Sequence, residues 1–111
     1  MKNYDEFKCL VGAYLGVQNM DEYDLKVYIL KDIENYIKDF LETNNITDIN
    51  YSEEKRKIDD ELTLKTKLQD ALIVLPKIKA PMELIFMIKL RIKKINEEEQ
   101  EKFKKDYYER N

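Results

Sequence analysis

The residues that most often carry catalysis are nearly missing from this sequence. It holds no histidine, one serine (Ser52) and one cysteine (Cys9), so a serine triad has no base and the thiol has no imidazole to activate it. Cys9 falls in an apolar first helix, where a small core residue is a better reading than a reactive thiol. The same scarcity closes the ordinary zinc sites, which draw on several cysteines and histidines. No glycine-rich phosphate loop, nucleotide fingerprint or redox pair is present. The sequence therefore predicts a protein that is not an enzyme and that needs no cofactor and no metal.

Carboxylates are the remaining chemistry, since acids holding Mg²⁺ can hydrolyse on their own. Asp59, Asp60 and Glu61 are adjacent, so on a helix their side chains diverge, and capping or solvation is their expected work. Asp48, Asn50 and Ser52 alternate like the first half of an EF-hand loop. Counting from Asp48, however, Glu53 stands where the turn needs glycine and Asp59 where a bidentate glutamate would close the shell. A polar helix-connecting loop is the better reading. Gly12 and Gly16 form a small-xxx-small pair. Gly16 is expected to close the first helix as its C′ residue, leaving Gly12 for a close helix crossing.

The elements that would position these residues are predicted to be helices. Two glycines and two prolines in 111 residues, with 39% charged and 43% hydrophobic side chains, leave few turns and long elements. A first helix is expected from about Tyr4 to Leu15, with Val17 folding back on Val11. Asn19 as N-cap and Glu22 three residues on would open a second, Met20 to Thr43. Its stripe of Leu25, Ile29, Ile33, Tyr36, Ile37, Phe40 and Leu41 is continuous. A third is expected between Ser52 and Pro76, with a doubtful middle where ELTLKTKL alternates like a strand. Pro81 would open a fourth, apolar nearly all round from Met82 to Ile88 and hence central. Ile92, Ile95, Phe103 and Tyr107 continue its face, so the last helix is expected to be long. The predicted fold class is all-α, a compact bundle of four to five helices in one domain spanning residues 1–111, with 96–111 as a projecting extension. The alternative is α+β, with strands near 61–68 and 83–92.

Length allows one domain that hides roughly two thirds of its unfolded surface. One cysteine needs no oxidising compartment, and no signal peptide or membrane span is apparent, so a cytoplasmic location is expected. The net charge of −3 is uneven. Residues 1–54 carry 12 acids and 5 bases, 55–95 carry 5 and 11, and 96–111 carry 6 and 4.

Three binding modes follow from this distribution. The first is contact with another protein or protein complex. It would use the acidic, tyrosine-bearing second helix, with Asp21, Asp24, Tyr28, Asp32 and Asp39 and with Tyr23 and Tyr36 alongside, or the aromatic end at Phe103, Tyr107 and Tyr108. The second is a nucleic-acid accessory role through Lys77, Lys79, Lys89, Arg91, Lys93 and Lys94. An acidic balance, few arginines and no aromatic within the basic run count against it. The third is a homo-oligomeric structural subunit. Usage rich in Lys, Ile, Asn and Tyr matches an AT-rich coding sequence. That favours a regulatory or inhibitory protein of a phage or mobile element, for instance one directed at a bacterial defence complex.

Overall fold

The computed structural model describes residues 3–109, and among these it is all helical, with no strand. The order is α1 (Tyr4–Gln18), α2 (Lys26–Thr43), α3 (Tyr51–Glu61), α4 (Leu64–Val74), a 3₁₀ turn (Leu75–Ile78) and α5 (Met82–Glu109). Both segments that alternate like strands, 61–68 and 83–92, are helical apart from the break at Leu62 and Thr63.

α1 is the central element. Every residue from Leu10 to Val17 is buried, because this stretch contains no charge and its two glycines and Ala13 let neighbours approach on several sides. Gly16 does not end the helix, which runs two residues further to Gln18. A Cβ at Gly16 would collide with the backbone carbonyl of Lys67, so the glycine serves the crossing of α1 over α4 and not a cap. Gly12 lies on the same crossing, where a Cβ would meet the end of the Asp70 side chain and Leu62 Cδ1 at 3.0 Å. Val17 is part of the helix and buried, not folded back beyond it.

Asn19 closes α1 instead of opening α2. Its side chain donates to Leu15 O at 3.4 Å, and the predicted N-cap and capping box are therefore absent. The chain from Asn19 to Leu25 is a connection, and α2 starts at Lys26, six residues later than expected. Three contacts hold that connection. Met20 is buried, Lys26 Nζ donates to Met20 O at 2.7 Å, and Arg91 of α5 donates to Asn19 O at 2.5 Å.

α2 buries Ile29, Ile33 and Ile37, with Tyr36, Phe40 and Leu41 half-buried beside them. It ends in a Schellman motif. Asn45 takes the left-handed conformation at φ 55°, its N–H reaches Glu42 O at 3.1 Å, and Ile46 N–H reaches Leu41 O at 2.9 Å. Asn50 then caps α3 by accepting from Glu53 N–H at 3.2 Å.

The expected third helix is two helices. α3 ends at Glu61, and Thr63 caps α4 by accepting from Thr66 N–H at 3.2 Å. Threonine rather than Asp59–Asp60 thus starts the new helix, and the strand-like alternation marks this break. Pro76 forces the 3₁₀ turn, Lys79 closes it at φ 55°, and the Pro81 carbonyl accepts from Leu84 N–H at 3.1 Å as α5 begins.

α5 is not central. It packs on α4 through Leu84, Ile85 and Ile88, which are buried, while Met82, Phe86 and Leu90 are exposed. From Glu97 to Tyr108 every side chain is exposed; the final two residues of the expected 96–111 extension lie outside the described residues. The molecule measures 57 × 31 × 18 Å with a radius of gyration of 16.2 Å, against about 13 Å for a compact chain of this length. The excess reflects the uncovered end of α5.

Replacing Gly16 by alanine should cost about 1–3 kcal/mol, because α4's backbone must move. At Gly12 the obstructing atom is the tip of a flexible side chain, and alanine recovers about 1 kcal/mol of helix preference. Urea unfolding of the two variants should show a large loss for Gly16→Ala and little or no loss for Gly12→Ala.

Candidate functional site

The groups that could do chemistry are dispersed. Cys9 is half-buried against the core, and burial first, then the Asp70 carboxylate beside it, pushes its thiol up to about 11. It is held protonated, the opposite of an activated nucleophile. Burial also raises Asp70, opposed by the Cys9 thiol and by Lys8. The three adjacent acids diverge as their spacing requires. Asp59 pairs with Lys67 at 2.5 Å, Glu61 pairs with Lys8 at 2.7 Å, and Asp60 is exposed. In the 44–50 connection the Asn50 oxygen is engaged by a backbone N–H, while Ser52 sits inside α3.

One cluster has no counterpart in the sequence reading. Tyr14 of α1, Glu34 of α2, and Tyr51 and Lys55 of α3 meet along one edge of the bundle. Lys55 Nζ stands 4.0 Å from the centre of the Tyr14 ring and 6.0 Å from that of Tyr51, a cation–π contact that fastens α3 to α1. Burial, followed by the Glu34 carboxylate, pushes Tyr51 up to about 12, and its hydroxyl has no hydrogen-bond partner among the described residues. The adjoining groove is lined by Glu34, Ile37, Lys38, Leu41 and Tyr51. It offers a neutral phenol and one carboxylate, but no nucleophile poised near neutral pH.

Of the acidic-helix candidates, the three on α2 share a surface. Tyr28, Asp32 and Asp39 are exposed on one side of α2 by the three-and-four spacing, and Asp21 and Asp24 are exposed in the connection before it. Among the described residues none of these four aspartates has an ion-pair partner. Tyr23 and Tyr36 pack against the core instead.

The basic candidates do not form one patch. Arg91 is committed to Asn19 O and lies 3.7 Å from Met20 Sδ. Lys77 acts on Cys9, at the α1 side. Lys79 and Lys89 share a shallow groove with Leu72, Pro76, Met82 and Ile85. Lys93 and Lys94 are exposed further along α5.

An uncovered apolar stripe runs along α5, and Leu25, Val27 and Ile73 are exposed elsewhere. Met82, Phe86 and Leu90, four residues apart, are 73%, 61% and 50% exposed, and Phe103, Tyr107 and Tyr108 are exposed towards the helix end. The sequence signal for this stripe was present as apolar residues nearly all round the helix. No helix among the described residues is long and apolar enough to cross a membrane. In comparisons with protein-family models, curated proteins and solved structures, the chain matches none.

Asp70 gives a pH test of this geometry. A carboxyl whose folded pKa lies above its unfolded value stabilises fully below the unfolded value, and that contribution is lost as pH rises through the folded one. Asp70→Asn, which keeps an acceptor beside Cys9, should therefore raise the melting temperature at neutral pH. The difference should shrink as pH falls through the carboxylate range.

Proposed function

We propose that this protein is a non-catalytic binding module that acts on another protein by stoichiometric contact, with α5 as its docking element. The observation that carries this reading is the exposed apolar and aromatic set on α5. Met82, Phe86 and Leu90 sit over the body and Phe103, Tyr107 and Tyr108 beyond it. Water-facing apolar side chains at helical spacing are what a partner's groove covers. The unpaired aspartates along α2 supply a second, charged surface that would steer a basic partner to the molecule. A small regulator or inhibitor of a larger complex, of the kind carried by phages and mobile elements, fits this combination. A cytoplasmic setting suits a chain whose one thiol is half-buried.

Affinity capture with the full chain from a bacterial lysate tests the assignment. Phe103→Ala, Tyr107→Ala and Tyr108→Ala together should remove the co-purifying protein while leaving the circular dichroism of the folded chain unchanged, since all three side chains are exposed. Charge reversal at Asp21, Asp24, Asp32 and Asp39 should slow capture in a salt-dependent way. Retention of the partner by the aromatic triple variant would move the docking site off α5.

A further inference from the structure

The uncovered face of α5 is self-complementary. At about 100° per residue, Met82, Phe86, Lys89, Leu90, Lys93, Glu97, Gln100, Glu101, Lys104 and Tyr108 fall within about a third of the helix circumference. Every one of them is exposed. This sector points away from the side that carries Leu84, Ile85 and Ile88 into the bundle. Along it the composition runs from apolar through basic, then acidic, to basic and aromatic.

Two copies laid antiparallel, with their crossing point level with Ile95, bring unlike groups to the same height. Lys93 then faces Glu97 and Phe86 faces the Lys104 stem, with Met82 at the height of Tyr108, while Lys89 and Glu101 lie on opposite edges of the sector and flank the contact. The two-fold axis makes each match twice. A parallel pair would instead set Lys93 against Lys93 and Glu97 against Glu97, which is repulsive. Among the described residues Lys89, Lys93, Glu97 and Glu101 have no ion-pair partner. Within one helix, lysine four residues before glutamate is also the weaker of the two orders.

From this complementarity we infer that a second copy of this chain occupies the outer face of α5, forming an antiparallel two-fold dimer. The inference rests on the reading of α5 as a docking element: the second copy takes its outer face, and the Phe103 side of the helix and the α2 aspartates remain for the other protein. The overlap runs from Met82 to Tyr108, about 40 Å at 1.5 Å per residue, with each bundle on the outer side of its own α5 so that the bodies do not collide. Tyr108 of one copy then lies at Met82 of the other and the Lys104 stem at Phe86, which covers part of the exposed apolar surface, while Phe103, on the side of the helix that carries Ile85, stays outside the contact. The aspartate-bearing α2 surfaces stay free, so the dimer would present two of them.

Sedimentation equilibrium of the full chain should give twice the 13.4 kDa chain mass. Glu97→Lys with Glu101→Lys should weaken the dimer at least about tenfold, as should Lys89→Glu with Lys93→Glu. An equimolar mixture of the two double variants should recover it as a heterodimer. This recovery separates loss of pairing from loss of folding, because both variants must be folded to give it. A chain that sediments as a monomer at every concentration overturns the inference, whether or not a lysate protein is captured through α5. A dimer indifferent to both double variants, or a mixture that fails to reassociate, overturns it too.

Discussion

The close approach of α1 to α4 is the constraint on which the rest of this structure depends. With hydrogen in place of a side chain at Gly16, the α1 backbone lies against the Lys67 carbonyl, and α4 becomes the platform on which α5 is built. Since α5 packs chiefly on α4, a shift at this crossing would carry the whole last helix with it. The buried Lys67 side chain reaches over to Asp59, so the same residue that receives Gly16 also fixes the break between α3 and α4. With the lysine buried and the Asp59 carboxylate half exposed, the pair contributes little to total stability.

Much of the fold was legible because periodicity reports where apolar side chains must go. The core stripe of α2 from Ile29 to Leu41, the long last helix and the all-helical class follow from that alone, whereas Leu25, expected in the same stripe, lies before the helix and is 43% exposed. Periodicity does not report how many neighbours a helix will have. The stretch Leu10–Val17 and the stretch Met82–Ile88 are both apolar nearly all round, yet the first is enclosed and the second is covered on one side. The difference lies in size: Gly12, Ala13 and Gly16 let three helices close on α1, whereas Met82 and Phe86 hold neighbours away. Gly16 also shows that residue type alone does not separate a cap from a crossing, since either role needs only the absence of a Cβ. The connection before α2 was not legible because one of its contacts comes from Arg91, 72 residues away from Asn19.

The candidate surfaces were legible in part for the same reason. Helical spacing placed Tyr28, Asp32 and Asp39 together without knowledge of tertiary contacts. It could not reveal that Arg91 is spent on a backbone carbonyl, or that Tyr23 and Tyr36 turn towards the core. The meeting of Tyr14, Glu34, Tyr51 and Lys55 joins three helices through non-local packing, and no local pattern announces it. The stripe on the outer face of α5 was visible as letters but was assigned to the interior, because apolar residues without a stated partner are first given to the core.

The end of α5 behaves as a helix whose nucleation has already taken place. Starting a free helix is the unfavourable step, and propagation from an existing turn is close to neutral per residue. The buried turns around Leu84 and Ile88 supply that start, and the residues beyond Glu97 add on to it with exposed side chains, tied to α4 by the Glu99–Lys65 ion pair at 3.4 Å. Glu98 precedes Lys102 by four residues and Glu101 precedes Lys105 by four, the order that favours extension. Whatever seizes it meets a surface already close to its bound shape, with little chain entropy left to remove.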